Sequence, residues 1–400
     1  MNPEFSAPLF IQSLIAPQTR DLADEWLSNK KRGKGSRWIL DKSLAPADLY
    51  VYLKARFGPP NGVMMIVRGP HSDNFIQWHY TLKSGSSNFE ILGLNTRTEF
   101  WISDYPNLGD NHWTELVDSI KKDFSRFGTK LNEIRKSLEN WRLFYNPYHR
   151  LERIIKKYSK DLSEITKSNF DLPSEPPAFP LVYSSANDSI KKEIDEFASK
   201  IQSLSDKYAR AQELSTSLRL ICPVWAEAFI NFLIFVLSRS EIKNDKRLYQ
   251  DFIRKEIDVR VKLLHINCVG FEKPIDANHQ VYKNFQSLMN ERNDLLHANI
   301  DPEKLGYETV FFDGTIPLFT EPQGLARNSL GVSLTGIEPD ETLKRIALVR
   351  SFIEFILNHL EKPYREQLSL ILDKRELGWR SETSRIGVLF ADFIAEGFAF

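Results

Sequence analysis

Arg292, Asn293 and His297 lie within six residues of one another, and those side chains suit the cleavage of a phosphodiester. A guanidinium can hold a phosphate through two parallel hydrogen bonds. An imidazole can move a proton near neutral pH. An amide between them can orient the imidazole or an attacking 2′-hydroxyl. Asp294 follows directly and either fixes the arginine or is solvated. Asn293 and His297 are four apart and face one way on a helix, whereas Arg292 and His297 point about 140° from each other. One phosphate meets both only if the helix end bends, if Arg292 reaches round, or if two copies of the segment meet.

The segment closes an amphipathic helix expected over residues 276–298, with Val281, Phe285, Leu288, Leu295 and Leu296 as its buried side. Upstream, Glu227 interrupts the apolar stretch 224–230. A carboxylate there is costly unless paired, so it either braces Arg292 or sits at a helix edge with its head in water.

Other chemistry has less support. The run from Lys30 to Arg37 holds Lys30, Lys31, Arg32, Lys34 and Arg37 without an acid. It lacks the spacing of a phosphate-binding loop and reads as a solvated loop that could also touch RNA phosphates. Cys222 and Cys268 have no partner at metal-ligand spacing, and His79, His112, His265 and His279 form no cluster. No metal or organic cofactor is expected.

The bulk properties set the frame. The 400 residues carry 53 basic and 53 acidic side chains, 42% hydrophobic residues and 26% charged ones. That is enough for two or three ordinary globular domains, without the basic excess of a long nucleic-acid track. Two cysteines make no disulfide framework and read as core thiols in a reducing compartment. The start has no basic region followed by an apolar core, so a cytoplasmic protein is expected. The longest apolar run, 218–237, has the length of a membrane span, but Arg219, Pro223, Glu227 and Asn231 make it a buried helix instead.

Local patterns predict a helix over 46–57, stopped by Gly58-Pro59-Pro60, and an apolar strand over 63–67. Ile76, Trp78, Tyr80 and Leu82 alternate with polar residues, and strands near 89–94 and 99–103 complete a small antiparallel sheet. Helices follow from Asn111, interrupted at Pro147, with a basic amphipathic helix from Arg150 to Lys167. Four prolines in residues 171–180 mark a linker. Beyond it, residues 190–208 form a narrow apolar seam, and helices are expected over 215–237, 245–264, 276–298 and 340–360. Asp313-Gly314 signals a hairpin, and a last helix follows Pro363. The expected architecture is an α+β domain over 1–170, a linker over 171–180, and an all-α domain over 181–400. The latter's core, about 205–362, is a four-helix bundle with a β-hairpin insertion.

The pattern Arg-Asn-x3-His at the end of an apolar helix, third in such a bundle, resembles the signature of the HEPN superfamily. The resemblance covers roughly residues 205–362. It implies a metal-independent RNA endonuclease, a toxin or defence effector, in which motif helices of two copies pair into one cleft. RNA is then the substrate, a second copy of the chain the partner, and an antitoxin or trigger protein the restraint. It gives Arg292, Asn293 and His297 the catalytic roles, with Glu227 and Asp294 in support. HEPN toxins paired with nucleotidyltransferase antitoxins carry Tyr two positions after the His, where this chain has Asn299. The alternatives are a non-catalytic HEPN module that binds RNA, nucleotide or a protein, and a scaffold built on the 190–208 seam. Residues 1–170 carry no second catalytic constellation and read as a sensor or recognition domain.

Overall fold

Alternation of side chains builds the first unit. The computed structural model describes residues 5–28, 34–70, 74–167, 188–297, 309–320 and 339–389. They divide into two compact units, one of residues up to Phe144 together with the segment from Glu376, the other Tyr145–Arg375. In the first, strands Ile76–Ser84, Ser87–Leu94 and Thr98–Ser103 run antiparallel as expected. Tyr80 faces Ile91, Leu82 faces Phe89, and both partners continue to Phe100 and Ile102 across the next strand. This inward face is fully buried under helices Ala7–Ser13, Pro46–Phe57, Asp110–Phe124 and Gly128–Ser137. The predicted helix over 46–57 has Pro46 at its first turn and Gly58 at φ 87° as its stop, a backbone angle that glycine tolerates best.

The opposite face is not simply solvated. His79, Thr81, Glu90 and Glu99 are buried there, and Asn61 donates to the carbonyls of Pro17 and Thr81 at 2.8 and 2.9 Å. The apolar run 63–67 is not a strand: Val63–Met65 is one 3-10 turn, and Ile66 and Val67 are exposed. A five-residue apolar run does not by itself distinguish strand from turn. A strand that periodicity did not reveal, Gly35–Ile39, forms the sheet's other edge against Thr98–Ser103. Another small sheet joins Arg142–Tyr145, Glu376–Arg380 and Arg385–Gly387, so the chain returns to the first unit after its last helix.

The second unit is helical. The seam and the apolar helix, expected as separate elements, form one 50-residue helix, Asp188–Leu237, with Pro223 inside. It is the only helix among the described residues long and apolar enough to cross a membrane, and 56% of its most apolar window is buried. Helices Pro147–Lys167, Gln280–His297 and Pro339–Leu357 pack on it. Tyr148 stacks on Trp225 at 5.6 Å, and Phe285 on Phe352 at 3.9 Å. The helix expected over 245–264 is two, Lys246–Arg254 and Ile257–Asn267, because Lys255 and Glu256 are both extended. The hairpin forms between Val310–Asp313 and Ile316–Phe319, turning at Gly314 with φ 61°. Cys222 and Cys268 are buried, and burial pushes each thiol up to about 12, far from a reactive thiolate.

The predicted boundary at 171–180 lies outside the described residues. Helix Pro147–Lys167, expected to close the first domain, belongs to the second unit. Its buried side chains Tyr148, Ile155 and Leu162 recur every seven residues against the long helix. A fragment beginning at residue 181 therefore loses the burial of three large side chains, roughly 5 kcal/mol or more at the usual area cost. Residues 145–375 should express as a soluble, cooperatively melting protein and residues 181–375 should not. Equal melting of the two fragments in circular dichroism would refute this role for the helix.

Candidate functional site

Helix geometry places Glu227 and Asn231 one turn apart on the same side of the long helix. Arg260, from Ile257–Asn267, reaches both: one guanidinium nitrogen bonds Glu227 Oε1 and another Asn231 Oδ1. Its side chain is 7% exposed. A charge so buried needs its partners, and Glu227 and Asn231 supply them. Arg292 comes from the motif helix, Gln280–His297, and places a guanidinium nitrogen 3.4 Å from Glu227 Oε2. The two oxygens of one carboxylate thus face two different arginines.

Arg292 also donates to Asn293 Oδ1, at 2.9 and 3.3 Å. Its side chain remains 20% exposed at a cleft of about 580 Å³. Phe285 and Met289 contribute apolar surface to the cleft lining, and Glu256 and Asp258 contribute carboxylates. Burial pushes the Tyr282 phenol, on the same helix, up to about 12, so it remains protonated at neutral pH.

The structure brings Arg292, Asn293 and Glu227 together, with an Arg292 nitrogen 3.4 Å from the Glu227 carboxylate. It does not bring His297 or Asp294 into the cleft lining. His297 is exposed at the last position of the helix. Asp294 lies near Glu291, which Arg345 grips at 2.7 and 2.8 Å. Hydrogen bonds from Arg345 hold the Glu291 carboxyl below its usual range, and the Asp294 charge opposes them. Leu295 is half-buried and Leu296 exposed, contrary to the apolar side expected of them. The buried side runs instead through Tyr282, Phe285, Leu288 and Met289, a stripe at three- and four-residue spacing that turns away before residue 296.

Sequence pattern alone does not single out Arg260. The available signal was a cation beside Val261 in an apolar helix, together with a carboxylate, Glu227, that needed a countercharge. Of the basic run near the N-terminus, Lys30, Lys31 and Arg32 lie outside the described residues. Lys34 is exposed. Arg37 sits in a strand, not in a mobile loop, and bonds Glu99 at 2.5 and 3.0 Å. That contact, with a second from Arg97, keeps the Glu99 carboxyl below its usual range. Among the described residues no group of three or more His, Cys, Asp or Glu could hold a metal ion. No protein-family model, no curated protein and no solved structure matches the chain.

Proposed function

We propose that this chain is a metal-independent RNA endonuclease of the HEPN type, a cytoplasmic toxin or defence effector that works as a homodimer. One observation carries the reading: Arg292 lines a cleft in contact with Glu227, itself held by a buried arginine, while Asn293 and His297 stay accessible on the same helix. A phosphodiester entering the cleft meets a positioned guanidinium. The substrate's 2′-hydroxyl attacks the adjacent phosphorus, His297 moves the proton, Arg292 stabilises charge on the phosphoryl oxygens, and Asn293 positions. In one chain His297 stands apart from the cleft, so the histidine facing a given Arg292 comes from a second copy. The exposed Leu296 beside it offers apolar surface for that pairing.

The products are a 2′,3′-cyclic phosphate and a 5′-hydroxyl, and DNA, lacking the attacking group, is spared. Incubation with total RNA in excess EDTA tests this. Cleavage with those ends is expected; cleavage that stops on chelation and returns with magnesium overturns the mechanism. The second reading is a non-catalytic HEPN module that binds RNA, nucleotide or a protein partner. The exposure of His297 outside the cleft favours it, and it gives intact RNA in the same assay.

A further inference from the structure

Helix Pro147–Lys167 has two unlike sides. Tyr148, Ile155 and Leu162 face inward. Beyond Pro147 at its first position, the exposed residues are Arg150, Arg153, Lys156, Lys157, Lys160, Glu164 and Lys167, six of these seven basic. Lys156 is paired with Glu152 at 3.0 Å and Lys160 with Glu164 at 3.8 Å. Arg150, Arg153 and Lys157 have no ion-pair partner among the described residues. A chain with 53 basic and 53 acidic residues has concentrated cations on one ridge, about 25 Å long at 1.5 Å per residue.

The ridge ends in a concavity. A hollow of about 370 Å³ is lined by Tyr145, His149, Arg150, Arg153, Ile154 and Arg375. Tyr145 is 59% exposed, and the Arg150 guanidinium lies over its ring, 5.4 Å from the centroid. An exposed aromatic face beside arginines is the combination that takes a base by stacking and its phosphate by charge.

We infer that this ridge and its hollow dock the backbone of single-stranded RNA, with Tyr145 as a stacking platform for one base. The inference rests on the reading that RNA is the substrate, and assigns that substrate a surface made of residues other than those of the cleft. Cations recurring every three or four residues along one line match a row of phosphates. An anionic membrane would want apolar side chains interleaved with the charges, and from Arg150 to Lys167 the exposed positions carry none.

The test measures anisotropy of a short fluorescent polyuridine with the full chain carrying His297→Ala, so that the RNA survives, in EDTA. Arg150→Glu, Arg153→Glu and Lys157→Glu together should weaken binding by about tenfold or more at about 50 mM salt, and lower the salt slope by about two. Arg150→Lys with Arg153→Lys should retain binding, and Tyr145→Ala should weaken it severalfold. All the substitutions are at exposed positions, and an unchanged melting temperature shows that each variant folds. Polyuridine binding that the charge reversal leaves unchanged overturns the docking surface, as does a chain that binds phosphatidylserine vesicles or an acidic peptide through these residues and no RNA. RNA cleavage by the native chain with such unchanged binding removes only this inference. Binding lost on reversal, with no cleavage by the native chain, removes only the nuclease reading.

Discussion

His297→Ala and Arg292→Ala should each lower RNA cleavage by about a hundredfold or more, with the melting temperature within a few degrees of the native chain. The imidazole is exposed at the end of its helix, so its removal leaves no cavity. Loss of the Arg292 guanidinium leaves Glu227 with its buried partner Arg260, so the carboxylate keeps a countercharge. The effect therefore falls on the reaction and not on the fold. Glu227→Gln should act differently. It weakens the hold on both arginines, and lowers stability as well as rate. The proposed composite site adds a sharper test. A chain with His297→Ala and a chain with Arg292→Ala, each inactive alone, should recover part of the activity when mixed, because one of the two sites in the mixed dimer is then intact. Full activity at concentrations where sedimentation shows only monomer would falsify the shared cleft. Melting that collapses in both single variants would return the motif to a merely packed helix end.

Asp123→Ala should destabilise the first unit by about 3–5 kcal/mol, the usual result of removing one partner from a buried ion pair. Arg56 and Asp123 meet at 2.7 Å, their side chains 9% and 5% exposed. Tyr52 donates to the same carboxylate oxygen at 2.7 Å, and the other nitrogen of Arg56 reaches the Ile11 carbonyl at 2.7 Å. Three helices, Ala7–Ser13, Pro46–Phe57 and Asp110–Phe124, are joined at this point. Without Asp123 a guanidinium is left with little water and no countercharge, and a phenol loses its acceptor. Burial, with the bond to Asp123, already pushes the Tyr52 phenol well above its ordinary range. At about 2–4 °C per kcal/mol the melting transition should fall by roughly 10 °C. Replacing both charges, Arg56→Met with Asp123→Leu, should recover much of the loss, since no buried charge is left unpaired and Arg126, the other partner of Asp123, is solvent-exposed. A single variant that melts within a degree or two of the native chain would show that the pair is solvated in solution.

Local pattern alone determined much of this protein. Pro46 and Gly58 bracket a helix because each has a preferred backbone angle that suits one end of it. Asp313 and Gly314 turn a hairpin, and the alternation of Tyr80, Leu82, Phe89 and Ile91 makes a sheet face. Arg292 and Asn293 were legible as neighbours on one helix, and Glu227 as a carboxylate in need of a partner. These are properties of short segments facing either water or a core. Tertiary structure decided what depends on two distant segments at once. It sent Arg260 as well as Arg292 to Glu227, from 33 and 65 residues away. Pairing with Thr98–Ser103 made residues 35–39 a strand and gave Arg37 to Glu99. Packing of Tyr148 on Trp225 drew helix Pro147–Lys167 into the helical unit, and residues 376–387 returned to the first. It left His297 and Leu296 facing outward, although periodicity could not tell that side of the helix from the buried one so near its end. The reason is energetic. A propensity or a period is worth tenths of a kcal/mol per residue, whereas leaving a buried charge without its partner or losing an aromatic stack costs about one or more, and only the folded arrangement says which partners meet.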